Sequence, residues 1–212
     1  MATHRIWKGA AVLAAGGLAL LGAILLSQRI DLPYIFREAL AGNFYHRYDP
    51  LIAETAQQHG LDPNLVKAII WRESRFQTDK VGSSGERGLM QVTAAAGSDW
   101  AKAMKRADFN PEELWKPEIN LEVGCWYLAR ALAHWQNRDC PWAFALAEYN
   151  AGRSRVKRWV NSSGQGQNAT ATHLRTFMDF PSTRAYVWSI ISRSQFYRAR
   201  NEFPQQLQKP IR

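Results

Sequence analysis

"LDPNLVKAIIWRES", residues 61–74, carries a helix start, an apolar stripe and one misplaced charge. Asp62 can cap the first turn and Pro63 suits the first helical position, where its missing N–H is no loss. Val66, Ile69, Ile70 and Glu73 then fall on one face by the i, i+3, i+4, i+7 rule. A carboxyl group thus continues a stripe that periodicity reserves for the core. It also sits in the last turn, at the negative end of the helix dipole. Burial and dipole both disfavour the ionised form, which suits a proton donor at neutral pH. The competing reading is a structural ion pair with Arg72 or Arg75, since such pairs also perturb carboxylates.

The same punctuation recurs along the chain. "YDPLIAETAQQHG" offers Asp49 as cap, Pro50 at the first position and Gly60 as stop. "VTAAAGSDWAKAMK" starts from Thr93, and "FNPEELW" is a short helix opened by Asn110 and Pro111. A long helix follows from about Pro117 to Asn137. "DCPWAFALAEYN" opens again on Asp and Pro, and a basic helix near "RSRVKRWV" runs into the polar loop "NSSGQGQNAT". "STRAYVWSIISRSQFYRARN" is a final amphipathic helix. No β-branched alternating run of four to eight residues stands out, so the expected fold is all-α, with at most a minor hairpin near Lys80 to Arg87.

The N-terminus differs in kind. Residues 9–26, "GAAVLAAGGLALLGAILL", hold 18 residues without charge behind Arg5 and Lys8. That length suffices to cross a bilayer core of about 30 Å, with the basic flank on the cytoplasmic side. A cleaved signal peptide competes, but Leu21 stands where a small residue should precede a cut after Ala23. The expected organisation is an anchor or signal over 1–30, a linker over 31–48, one domain over 49–203 and a tail over 204–212. The expected location is the cytoplasmic membrane, single-pass, with the domain on the periplasmic side.

The net charge of +9 is concentrated at the C-terminal end, where residues 153–212 carry eleven bases and two acids. Export argues against nucleic acid as the partner and favours an anionic polymer or lipid headgroups. Arg193, Arg198 and Arg200 recur along the last helix and are expected to help hold such a polymer. Cys125 and Cys140 are expected to be unpaired. If one helix reaches Asn137, Cys125 lies twelve residues before its end, roughly 18 Å away, and a disulfide needs Cα atoms within about 7 Å.

After Glu73, "VGSSGERGLMQV" brings Gly82, Gly85 and Gly88 into one loop, which lets main chain approach a ligand closely. Gln91 supplies a donor and an acceptor. "AEYNAG" sets Tyr149 and Asn150 before a glycine stop, one able to stack on a sugar face and the other to bond an amide. Jointly these outline a carbohydrate site.

"ESRF", "GLMQV", "AEYNAG" and "STRAYV", in this order, resemble the catalytic domain of soluble-lytic-transglycosylase-type enzymes, relatives of goose-type lysozyme. The resemblance covers about Pro50 to Arg200 and implies a lysozyme-like, mainly helical domain. It implies cleavage of the β-1,4 bond between N-acetylmuramic acid and N-acetylglucosamine in peptidoglycan, with the muramoyl 6-hydroxyl attacking in place of water. Glu73 would act as acid and then as base, with neither cofactor nor metal. By the same matching, Ser84 belongs to the loop over the cleft, Met90 and Gln91 line it, Tyr149 and Asn150 sit beside Glu73, and Tyr186 is a further lining residue. Expected partners are glycan strands, the membrane through the N-terminal helix, and cell-wall machinery; the expected state is a monomer. Two positions depart from the pattern. Ser182 stands where many relatives have glutamate, though a serine could still cap the last helix, and Glu86 stands where small residues are common. The alternatives are a muramidase using water and a non-catalytic peptidoglycan-binding scaffold.

Overall fold

The computed structural model describes residues 42–203. The expected span over residues 1–30, most of the linker and the tail from residue 204 lie outside the described residues. The chain divides after Arg47. In the first unit the described part is a 3-10 turn, Gly42–Tyr45. Phe44 and Tyr45 meet edge to face there, and the Arg47 guanidinium lies 4.2 Å from the Phe44 ring centre.

The second unit is all helical among the described residues. Its helices are α1 (Asp49–Gln58), α2 (Pro63–Glu73), α3 (Ala94–Ala103), α4 (Pro117–Trp135), α5 (Pro141–Ala151), α6 (Arg153–Ser162), α7 (Ala171–Phe177) and α8 (Pro181–Ala199). A five-residue 3-10 helix, Pro111–Trp115, precedes α4. None of these helices is long and apolar enough to cross a membrane.

Several starts follow the sequence signals. Asp62 accepts the N–H of Asn64, Thr93 accepts that of Ala96, and Asn110 forms a reciprocal capping box with Glu113. Other signals were rerouted by tertiary partners. Asp49 lies inside α1, whose cap is Tyr48, and its carboxylate accepts from Lys67 Nζ at 2.8 Å. Asp139 accepts the N–H of Ala171, tying the α4–α5 turn to the start of α7. The last helix begins at Pro181 from Phe180, without a side-chain cap. Ser182 therefore does not cap it, correcting that expectation. The "NSSGQGQNAT" loop ends in α7, a short helix absent from the sequence reading; Thr170 and His173 box its first turn.

α2 is the core helix. Pro63 through Ile70 are all buried, so the apolar stripe widens to the full circumference. Helix α2 packs on α1 and α8, while α5 packs on α4, α6 and α8. Val66, Ile69 and Ile70 have no exposed surface, each contributing about 1.5–3 kcal/mol by burial. Lys67 is equally buried and is held by two carboxylates, Asp49 at 2.8 Å and Glu202 at 2.7 Å. The Tyr197 and Phe203 rings lie 5.2 and 5.5 Å away.

Both cysteines are free. Cys125 is buried in α4, where burial pushes its thiol up, and Cys140 is half-buried at the start of α5. Three arginines at the basic C-terminal end also have partners within the domain. Arg193 is buried over the Trp71 ring, Arg198 pairs with Asp62, and Arg200 pairs with Glu202 at 3.4 Å.

Candidate active site

Helix α2 ends on Glu73. Arg75 and Phe76 follow with φ of 55° and 63°, a left-handed pair that turns the chain out of the helix immediately after the carboxyl. Two such non-glycine residues in a row store backbone strain, which gathers where geometry is over-determined. Phe76 is fully buried and anchors the turn.

The glycine loop then folds back on itself through single bridges, Val81 to Arg87 and Arg87 to Val92. These are all that exists of the expected hairpin. Gly88 has φ of 72°, and a Cβ there would lie 2.5 Å from the Asn120 side-chain nitrogen and 2.9 Å from the Leu114 carbonyl. Only glycine fits. Asn120, buried on α4, donates to the carbonyls of Arg87 and Leu114 and accepts from Met90 N–H. It pins the loop to α4 with three bonds. No local pattern in the sequence reveals it, because two of its partners are thirty or more residues away and the third belongs to the preceding 3-10 helix.

Glu73 is half-buried, and the Tyr186 hydroxyl donates to its Oε1 at 2.7 Å. Neither neighbouring arginine forms the expected ion pair. Arg75 lies 3.8 Å from the Trp71 ring centre and Arg72 lies 5.9 Å from that of Tyr186. Burial pushes the Glu73 carboxyl up to about 7, against the Tyr186 hydrogen bond and the Arg72 charge, which pull it down; Glu86 adds a smaller upward push. Desolvation prevails because the hydroxyl and the arginine only partly replace lost water. Tyr186 is itself buried and its hydroxyl is held well above its ordinary range by burial, so it remains a donor.

Glu73 opens into a cavity of about 330 Å³ lined by Gly82, Ser83, Glu86, Gln91, Thr93, Tyr149 and Asn150. Through Gln91, Thr93 and Tyr149 it adjoins a groove of about 500 Å³ between α3, α4 and α5. Gln91, at φ of 49°, donates its amide to the carbonyls of Lys80 and Gly88. Tyr149 donates to the Met90 carbonyl at 2.9 Å, and Thr183 donates to Asn150 Oδ1 at 2.7 Å, joining the "AEYNAG" and "STRAYV" segments.

The structure thus brings Glu73, Gln91, Tyr149 and Asn150 to one cavity, with Tyr186 behind the carboxyl. Met90 differs from its expected place. Its side chain is fully buried against Gly124, and only its main chain, held by Asn120 and Tyr149, faces the site's frame. Ser84 is exposed in the loop, its N–H donating to Glu86, while Ser83 takes the lining position. Glu148 is committed elsewhere: it bonds His134 at 2.8 Å and accepts from Trp135 at 2.7 Å.

Replacing Tyr186 by Phe removes the hydroxyl that draws the Glu73 carboxyl down. The expected result is an alkaline limb of turnover displaced to higher pH. Maximal rate should fall roughly tenfold, since a hydrogen bond to a charged group is worth about 1.5–3 kcal/mol. A pH–rate profile checks this; displacement to lower pH contradicts it.

The model of the transglycosylase SLT domain matches residues 50–171. The chain is 28% identical over 152 residues to the soluble lytic murein transglycosylase of Salmonella typhimurium, covering 71% of this chain and 23% of that relative. It is 34% identical over 129 residues to the membrane-bound lytic murein transglycosylase C of Yersinia enterocolitica, covering 58% of this chain and 36% of the relative. The crystal structure of the 70 kDa soluble lytic transglycosylase from Escherichia coli superposes with a TM-score of 0.66 at 25% identity, over 76% of this chain and 26% of that one. The chain therefore spans about a quarter to a third of the length of these relatives.

Proposed function

The chain belongs to the transglycosylase SLT domain family, and on that premise we propose that its 49–203 domain cleaves peptidoglycan strands without water. The bond is the β-1,4 link between N-acetylmuramic acid and N-acetylglucosamine, and the product ends in 1,6-anhydromuramic acid. The observation that carries this reading is the Glu73 carboxyl, half-buried, titrating at about 7 and bonded to one buried tyrosine.

A group that must give a proton and then take one works best when its affinity for that proton is balanced near ambient pH. Glu73 protonates the glycosidic oxygen as the C1–O bond breaks, and the substrate's own acetamido group stabilises the cationic centre. The Glu73 carboxylate, now favoured by the Tyr186 hydroxyl, accepts the proton of the muramoyl 6-hydroxyl as O6 bonds C1. One bond breaks and one forms, and Glu73 ends protonated as it began. Tyr149, Gln91 and Asn150 would meet the sugar rings and N-acetyl groups from the cavity wall.

A hydrolytic muramidase is the second reading, because Glu86 lines the same cavity and could serve as a base for water. The two differ in pH dependence. The single-carboxyl mechanism needs only protonated Glu73, so kcat/KM is flat on the acid side and falls as pH rises through about 7. A bell-shaped profile whose acid limb disappears in Glu86→Gln overturns it in favour of hydrolysis.

The N-terminal segment is proposed as a single span of the cytoplasmic membrane. Its 18 uncharged residues behind a basic flank support this, as does the similarity to the membrane-bound lytic murein transglycosylase C of Yersinia enterocolitica. The domain then faces the periplasm, where its glycan substrate lies.

A further inference from the structure

The large groove does not end at α5. Arg153 and His134 belong both to its wall and to that of a second surface cavity of about 470 Å³ along α6, which Lys157 and Gln167 also line. A continuous path thus leads from the Glu73 cavity to the exposed edge of α6.

That edge is cationic and unpaired. Arg153, Lys157 and Arg158 are exposed and form no ion pair or hydrogen bond among the described residues, whereas Val156, Trp159 and Val160 bury the opposite face of the helix. The nearby acids are already engaged. Glu148 bonds His134 and Trp135, Asp99 accepts from Tyr127, and Asp139 holds the α7 N-terminus. Arg138, on the same cavity, is committed to three main-chain carbonyls at Gly166, Gln167 and Ala169. Arg153 and Lys157, four residues apart, lie on one helical face. They leave two positive charges at the end of a sugar-sized path, with nothing among the described residues to neutralise them.

From this placement we propose that Arg153 and Lys157 form a receptor for the carboxylates of the peptide stem that peptidoglycan sugars carry, making the enzyme select stem-bearing over bare glycan. This rests on the proposed glycan-cleaving function of the Glu73 site. A bare strand carries only the muramoyl lactyl carboxylate, held within a few bonds of its own ring in the groove, whereas the carboxylates of an attached stem stand residues farther out along the peptide, at the reach of the α6 edge. An exposed pair of such contacts gives discrimination and salt sensitivity more than raw affinity.

The test measures binding of the full chain carrying Glu73→Gln, so that cleavage does not intrude. The probes are soluble glycan strands with stems and the same strands stripped by an amidase. The preference for stem-bearing strands should be about tenfold at low salt and should vanish in moderate salt. In the Arg153→Gln, Lys157→Gln variant the ratio of the two dissociation constants should fall to near one. An equal loss on both strand types, or an unchanged ratio, overturns the proposal. So does a loss of binding to anionic phospholipid vesicles with the strand ratio unaltered, which would make the edge a membrane contact. If bare and stemmed strands both fail to bind the parent, the reading of the Glu73 groove fails as well; a ratio near one with firm binding sinks the stem receptor alone.

Discussion

Glu73→Gln should lower turnover of peptidoglycan by roughly 10²–10⁴-fold, the range expected for loss of a general acid–base group, and at the same time make the protein more stable at pH 8. The second half follows from the pKa. The unfolded carboxyl titrates near 4.5 and the folded one near 7. Between those values the native chain keeps a proton that the unfolded chain has lost, so wild-type stability falls as pH rises through the interval. Glutamine has no such dependence. The stability gap between variant and wild type should be absent below pH 4.5, open through the interval and reach about 3 kcal/mol above pH 7. Urea titrations at pH 4.5 and pH 8, with turnover measured on the same samples, check both parts. A variant that is inactive yet less stable at pH 8 would show that the carboxylate is held by favourable contacts. That outcome would return Glu73 to the role of a structural ion-pair residue. Unchanged turnover would remove it from the mechanism, whereas absence of turnover in the wild type itself would favour the scaffold reading.

Lys67→Met should cost about 3–5 kcal/mol, the usual penalty for stripping the partner from buried charges. Methionine fills the space, but Asp49 and Glu202 lose the cation that both address, and the Glu202 side chain is only 5% exposed. Those bonds tie α1 and the segment after α8 to the middle of α2, the helix whose last residue is Glu73. The urea midpoint should drop with an unchanged slope, and Tm should fall by about 10 °C. A loss below 1 kcal/mol would mean that the two carboxylates are adequately served by other groups.

The contrast between these residues explains what could be read from the chain alone. Glu73 was legible because its oddity is local: a charge on an apolar face within one helix. The caps at Asp62, Thr93 and Asn110 were legible for the same reason, since donor and acceptor lie within three residues. Lys67 sits on that same helix and gave no signal, because the two carboxylates that neutralise it come from residues 49 and 202. Asn120 was silent likewise, with every partner brought by another segment. Met90 entered by motif matching, and its chemistry proved to lie in its main chain, which side-chain patterns cannot report. Helix α7 escaped notice because it is short and opens inside a polar stretch, boxed by histidine where glutamate or glutamine would be expected. The C-terminal basicity was real, but Arg193, Arg198 and Arg200, on and just past α8, have partners at residues 71, 62 and 202. Among the described residues, exposed cations of that end without an ion pair stand on α6, a distinction that charge counting alone does not make.

The central claim is that one carboxyl group performs both proton transfers while the substrate supplies its own nucleophile. Digestion of sacculi in ¹⁸O-labelled water, followed by mass spectrometry of the released muropeptides, tests it most directly. The account predicts 1,6-anhydromuramoyl ends, one water lighter than reducing ends and free of label. Reducing ends carrying ¹⁸O would contradict it.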